Sequence, residues 1–185
     1  AYYAFDITNP EVPKLMWTIE KGGAFSELGY TFSNPRIGLV NTPSGATPVI
    51  MFAGGYDMNK DIRGTVGTDD SEGNAIYVVN AETGQLIWKA IRGSGGSSST
   101  VFEHPRLTDS IPSTLSVGDT DGDGFTDRIV VGDTGGNVWR ADIHGKDTSR
   151  WKLTQLASLG RHAAGGIVND RRFFHRPDLV PSKDN

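Results

Sequence analysis

Three stretches of the sequence repeat one pattern, and this repetition limits the possible fold more than any other feature. Each has a short alternating apolar strand, then Asp or Asn, a polar turn, and a second strand that carries a tryptophan. The stretches are "YYAFDITNPEVPKLMWTI", "AIYVVNAETGQLIWKAI" and "NVWRADIHGKDTSRWKLTQL", which contain Trp17, Trp88 and Trp151. Alternation over a short run is typical of a β-strand, so each stretch predicts an antiparallel hairpin.

The segments between these hairpins also match one another. "NPRIGLV" and "PVIMFAGGYD" precede the second tryptophan hairpin, and "STLSVGD" and "DRIVVGDTGG" precede the third. Each pair predicts two more strands, which gives four antiparallel strands per repeat. That is the unit of a β-propeller blade, although the repeats exceed the usual length of about 40–50 residues. We therefore predict an all-β fold, a partial modified β-propeller of about two and a half blades.

The repeats also predict where the blades lie. We expect the end of one blade at about 1–20, a blade at about 30–91, a blade at about 112–157, and the start of the next at about 172–185. Between Lys152 and Leu159 the pattern fits a short helix, a strand or a loop equally well. Because propellers have at least about four blades, we expect this chain to be an excerpt of a larger protein.

Composition excludes several classes of function. The formal net charge is −4, the sequence pI is near 5.5 and no basic patch is present, so neither nucleic acid nor an anionic membrane is expected as a partner. No apolar run reaches the roughly 18 residues that a membrane-spanning helix needs. The absence of cysteine excludes a disulfide scaffold and thiolate chemistry. Glycine, at 24 of 185 residues, suits a protein with many tight turns.

Four aspartates in one loop predict a metal site. "DTDGDGFTD" has the pattern D-x-D-x-D-G-x-x-D, in which Gly124 permits a sharp turn. Carboxylates at these positions converge on one point and repel one another unless a cation is bound. Calcium prefers such a set of oxygen ligands. The predicted ligands are the side chains of Asp119, Asp121, Asp123 and Asp127, and the carbonyl of Phe125.

This loop differs from the helical version of the same motif. An EF-hand has glutamate at the twelfth position and continues into a helix. Here the twelfth position is Val130, within an apolar run that predicts a strand. Asp127 must then close the site in place of the missing glutamate.

A second acidic segment is a weaker candidate for a metal site. "YDMNKDIRG" places Asp57, Asn59 and Asp61 at the first, third and fifth positions. Ile62 occupies the position of the glycine and Thr65 the ninth position, so a polar turn fits better. The segment from Asp69 to Glu72 lacks ligand spacing, and we interpret it as a solvated loop.

No pattern in the sequence favours catalysis, and we expect the chain not to be an enzyme. The histidines are widely separated and are interpreted as surface or loop residues: His104, His144, His162 and His175. A nucleophile elbow and a phosphate-binding loop are both missing.

The segment "SIPSTLSVGDTDGDGFTDRIVVGDTGGNVWRADI" resembles the PilY1 family of type IV pilus tip-associated adhesins. Further similar stretches follow the order of that family's C-terminal domain: "AFDITNPEVPKLMWTI", "GYTFSNPRIG", "GNAIYVVNAETGQLIWKA" and "DRRFFHRPDLV". The resemblance implies a modified propeller in a large exported protein at the pilus tip or cell surface. It also implies that the aspartate loop binds calcium and that metal occupancy is tied to the switch between pilus extension and retraction.

The same resemblance implies the partners of the chain. These are pilus subunits or minor pilins at the pilus tip, and also host or abiotic surfaces. The von Willebrand A-like region that is common in this family is absent here, and so is an Arg-Gly-Asp tripeptide.

Two other classes of propeller share features with this sequence. An integrin-α or FG-GAP-type propeller uses the same acidic loop, but repeats it in several blades, whereas the complete loop occurs once here. A quinoprotein-like propeller has stretches such as "VVNAETGQLIW", but usually places adjacent cysteines at its cofactor, and this chain has none.

Overall fold

The computed structural model describes residues 1–61, 67–160 and 169–180 of the chain. These residues form eleven β-strands and three short 3₁₀ turns. The predicted all-β fold is therefore confirmed. In the same residues, no helix has the length and apolar character needed to cross a bilayer.

The first sheet is the hairpin with Trp17. Strands β1 (Tyr2–Asp6) and β2 (Lys14–Ile19) pair antiparallel, with Ala4 opposite Trp17. The indole Nε1 of Trp17 donates a hydrogen bond of 3.0 Å to the carbonyl of Ala81, in the next tryptophan hairpin. Its ring lies against Gly84, where φ is +70° and an added Cβ would come within 2.8 Å of the indole. Glycine at position 84 thus allows one repeat to pack on the next.

The second sheet has five strands. They are β3 (Arg36–Thr42), β4 (Gly45–Ala53), β5 (Ala75–Asn80), β6 (Leu86–Arg92) and β7 (Val101–His104), hydrogen-bonded in that order. The first four pair antiparallel, as each predicted repeat requires, but β7 is an additional strand parallel to β6.

The additional strand follows a loop rich in glycine and serine. The carboxylate of Glu103 in β7 accepts hydrogen bonds from the backbone amides of Ser94 and Gly96, at 2.9 and 3.3 Å. The carbonyl of Gly96 accepts one in return from the amide of Glu103, at 2.8 Å. The loop therefore folds back over β7 and covers part of the edge of the sheet.

The third sheet consists of β8 (Ser116–Gly118), β9 (Arg128–Gly132), β10 (Asn137–Asp142) and β11 (Lys152–Ser158). The order is β11-β10-β9-β8, and every neighbouring pair is antiparallel. The sequence from Lys152 to Leu159 was compatible with a short helix, a strand or a loop, and it forms the strand β11.

The second sheet packs between the other two. One of its faces joins the third sheet in the larger core, where Trp88 and Trp151 meet edge to face with ring centroids 6.0 Å apart. Its other face, with Phe52 and Tyr77, packs on Ile19 of the first hairpin. Neighbouring sheets in the chain are therefore neighbours in space.

A buried ion pair joins the connection between β4 and β5 to the loop before the third sheet. The ammonium of Lys60 lies 2.7 Å from the carboxylate of Asp109 and 3.4 Å from that of Asp70, and all three side chains are fully buried. The other oxygen of Asp70 accepts hydrogen bonds from the Ser110 amide and the Thr134 hydroxyl. The interpretation of Asp69 to Glu72 as a solvated loop is therefore wrong for Asp70, because Lys60 compensates its charge.

The segment near the end of the chain contains the expected start of a blade at about 172–185, which stays a prediction. Residues 169–180 contain no strand, and residues 181–185 lie outside the described part. The Phe173 amide donates to the Asp133 carbonyl at 3.0 Å, and the Pro177 carbonyl accepts from the Ser116 hydroxyl. This segment therefore lies along the third sheet through single contacts rather than through a strand ladder.

Candidate metal site

The aspartate loop is the turn of a hairpin in the third sheet. It connects β8 to β9, which pair antiparallel with Gly118 opposite Arg128. The backbone amide of Asp127 donates to the carbonyl of Gly118 at 2.9 Å and closes the base of the loop. Nine residues are thus folded back on themselves, which brings Asp121 close both to Asp119 and Asp123 and to Asp127.

The first three aspartates turn the loop by accepting hydrogen bonds from its own backbone. Asp119 accepts from the amides of Gly122 and Gly124 at 2.7 and 2.8 Å. These two hydrogen bonds lower the pKa of Asp119, and the bond from Gly124 has the larger effect. Asp121 accepts from the Asp123 amide, and Asp123 accepts from that of Phe125. One carboxylate oxygen from each of these three aspartates lies within 4.8 Å of the others.

Asp127 is the buried member of the set, since only 5% of its side chain is exposed. One oxygen accepts from the backbone amide and the hydroxyl of Thr120, at 2.7 and 2.8 Å. The other lies 3.0 Å from Nδ1 of His144. Burial opposes ionisation of Asp127, but these hydrogen bonds outweigh it, and the pKa of Asp127 is lowered.

His144 is a residue of the site that the sequence did not indicate. It follows β10, which pairs with β9, so the sheet returns it to the base of the loop. Ligand atoms of Asp121, Asp127 and His144 form a second group within 4.8 Å, which shares Asp121 with the first. The hydrogen bond to Asp127 raises the pKa of His144. The interpretation of His144 as a surface or loop residue is confirmed, because it follows β10 and its side chain is 68% exposed, but its contact with Asp127 was not predicted.

The geometry fits a calcium ion. The loop offers carboxylate oxygens on a tight turn, and the hydrogen bonds that lower the pKa values of Asp119 and Asp127 keep both carboxylates ionised near neutral pH. Hard oxygen donors of this kind are the ligands that calcium takes. The role of the Phe125 carbonyl stays a prediction.

The second acidic segment has a different arrangement. One oxygen of Asp57 accepts from the Asn59 amide and the other from the Ser71 amide, each at 2.8 Å. The Asn59 side chain donates to Thr68 and Asp70, and Asp61 accepts from the Tyr56 hydroxyl at 2.6 Å. The three side chains thus point to different partners, as in a polar turn. Ile62 and Thr65 lie outside the described residues.

Among the described residues, the candidate groups of metal ligands contain no histidine other than His144. The His104 ring packs edge to face on Trp139, with centroids 4.9 Å apart. His175 lies in the segment that follows the third sheet. His162 is outside the described part of the chain.

Comparison with known proteins places this fold and this loop in one family. Residues 1–161 match the family model described as the PilY1 beta-propeller domain. A type IV pilus biogenesis factor PilY1 homolog of Xylella fastidiosa is 29% identical over 179 residues, which are 95% of this chain and 11% of that protein. PilY1 of Pseudomonas aeruginosa strain UCBPP-PA14 is 29% identical over 143 residues, or 77% of this chain and 10% of that protein.

A solved structure has the same fold. The crystal structure of the Pseudomonas aeruginosa PilY1 C-terminal domain aligns with 96% of this chain and 35% of that chain, with a TM-score of 0.66 and 21% sequence identity. The chain spans about a tenth of the length of the curated relatives that it matches. Because the family model covers most of its length, the chain belongs to the PilY1 β-propeller domain family.

Proposed function

We propose that this chain is the calcium-binding part of the propeller of a type IV pilus factor, and that it supports pilus extension against retraction and adhesion to surfaces. The observation that carries the proposal is the aspartate loop between β8 and β9, in a chain of the PilY1 family. Calcium is its cofactor, bound by Asp119, Asp121, Asp123 and Asp127 and by the carbonyl of Phe125.

Electrostatics support calcium over a metal-free acidic turn. The carboxylate groups of Asp119, Asp121 and Asp123 lie close together, and all three residues are exposed. A bound divalent cation would remove their mutual repulsion, which otherwise destabilises the loop. Residues 119–127 contain no basic side chain that could balance these charges. The nearest described basic contact is His144, which lies beside Asp127.

The role at the pilus rests on the relatives. Two of them are named type IV pilus biogenesis factors, which indicates a pilus-related role for a domain of the same family. We propose that the protein is exported, that it acts at the pilus tip or cell surface, and that pilus subunits or minor pilins are its partners. Host or abiotic surfaces are then contacted from the same location. The chain acts as a binding and assembly module and not as an enzyme.

A complementation experiment tests this function. Deleting the parent gene should reduce surface pili and twitching, and the wild-type gene should restore both. A gene with Asp127→Ala should restore them less well, while Asp61→Asn, in the polar turn, should restore them fully. Normal piliation and twitching in the deletion strain would contradict the pilus role. Full restoration by Asp127→Ala would contradict the role of calcium in it.

A further inference from the structure

The aspartate loop is attached to a strand of the neighbouring sheet. The backbone amide of Thr126, next to the predicted ligand Asp127, donates a hydrogen bond of 2.7 Å to the carbonyl of Leu39. Leu39 belongs to β3, which is an edge strand of the second sheet. The loop therefore occupies hydrogen-bonding capacity that an edge strand leaves unpaired.

Gly38 provides the space for this contact. A Cβ atom at position 38 would lie 2.5 Å from Oγ1 of Thr126 and 2.7 Å from the terminal methyl of Met51. The backbone of Gly38 does not have a positive φ, so an L-residue could adopt its conformation. Glycine is thus required here by the close approach of Thr126 and not by the backbone.

Backbone hydrogen bonds also connect Asp127 to residues of the third sheet and its loops. Its amide donates to Gly118, before the loop, and its carbonyl accepts from the amide of Ile143 at 2.7 Å, after β10. A cavity of about 220 Å³ opens at the same junction, between Asn41 of β3 and the residues Asp127 and His144, which lie just before β9 and just after β10. The side chain that closes the predicted calcium site thus lies at the boundary between two sheets.

We propose that the calcium site is positioned by both sheets: Leu39 and Gly38 of β3 are positioning residues for Asp127, and calcium binding strengthens the contact between the second and third sheets. This inference rests on the proposed calcium function and names what the ion regulates. When an ion orders the loop, it fixes the position of Thr126, which is next to Asp127. Because the Thr126 amide is hydrogen-bonded to Leu39 of β3, the ion also fixes the loop on the second sheet. Coupling of this kind is reciprocal, so a change in β3 that displaces Thr126 should weaken calcium binding, whereas a change in β3 that leaves the Thr126 contact in place should not.

Hydrogen exchange on the intact wild-type protein tests the first direction of this coupling. Adding calcium should slow amide exchange in residues 119–127 and also in Arg36–Thr42, which contains no predicted ligand. Exchange in Leu86–Arg92, inside the same sheet, should change little and serves as the internal control. Protection confined to residues 119–127 would overturn the inference while leaving calcium binding intact. Absence of calcium binding would overturn the proposed function and this inference with it.

Calcium affinity of the intact Gly38→Ala protein, measured by calorimetry, tests the other direction. The added methyl displaces Thr126, and the affinity should fall by about fivefold or more, which is the usual lower size of such couplings. Val40→Ala is the matched control, because it weakens the buried core on the same strand without reaching the loop. It should lower the melting temperature and leave calcium affinity unchanged. Equal affinities of Gly38→Ala and wild type would overturn the inference, and the exchange experiment decides it if Gly38→Ala does not fold.

Discussion

The carboxylate of Asp133 accepts a hydrogen bond of 2.7 Å from the indole Nε1 of Trp139, and both side chains are fully buried. The same carboxylate accepts from the backbone amides of Gly135 and Asn137, at 2.9 and 2.8 Å. It therefore fixes the turn between β9 and β10 and orients the tryptophan in the larger core. Asp133→Ala should lower the free energy of unfolding by about 3 kcal/mol, since it leaves several buried donors unpaired.

Chemical denaturation of the intact protein checks this prediction. Burial raises the pKa of Asp133 to about 7. Asp133→Asn keeps one of the two acceptor oxygens and should cost less than Asp133→Ala. Asp178→Ala is the control, because the Asp178 side chain is 87% exposed and its removal should change stability little. Equal stability of Asp133→Ala and Asp178→Ala would show that the carboxylate does not hold the turn.

The ion pair of Glu27 and Lys89 predicts a dependence of stability on pH. The Lys89 ammonium lies 2.7 Å from the Glu27 carboxylate. Burial opposes ionisation of Glu27, but the hydrogen bond from Lys89 and further hydrogen bonds outweigh it, so the pKa of Glu27 is lowered. A lowered folded-state pKa stabilises the protein above the unfolded value of about 4.3, and this stabilisation is lost as pH falls through the folded value.

Glu27→Gln isolates this contribution. The wild-type protein should be more stable than the variant by about 1 kcal/mol near pH 7, a modest value because the pair is partly exposed. The difference should shrink as the pH falls below about 4. Urea titrations at several pH values measure it, with Glu82→Gln, on an exposed turn, as the control. A difference that stays constant down to acid pH would show that Glu27 does not titrate as described.

Substitutions in the two acidic segments should have opposite results. Asp123→Asn removes one charge from the aspartate loop and should weaken calcium binding by about 10-fold or more, as loss of a metal contact commonly does. Asp61→Asn should leave the affinity unchanged, because Asp61 is bonded to the Tyr56 hydroxyl and stands apart from the loop. Calorimetric titration of calcium into both intact variants compares them. A similar loss in both would mean that the second segment also binds the ion.

The strands and the loop could be predicted because their signals are local. Alternation around Trp17, Trp88 and Trp151 reflects the two faces of a strand, and all three stretches form hairpins. The spacing of the aspartates lies within one turn of nine residues, so no distant part of the chain is needed to bring them together. These features depend on neighbours in sequence, which a single sequence contains.

The remaining features depend on residues distant in the chain. His144 reaches Asp127 only because β10 pairs with β9, and its surrounding sequence carries no signal of that contact. The burial of Asp70 requires Lys60 from another segment. Strand β7 runs parallel to β6, and the alternating pattern cannot indicate which partner an additional strand finds. These three features therefore depend on contacts between distant parts of the chain, which local sequence patterns do not indicate.

Thermal unfolding of the intact protein, with calcium and with chelator, tests the central claim most directly. Calcium at about 100 times its Kd should stabilise the folded state by about 2.7 kcal/mol, so the melting temperature should rise. Asp127→Ala should remove most of this gain, since it takes away the carboxylate that closes the site. A wild-type melting curve that is identical in calcium and in chelator would contradict the calcium site and the function built on it.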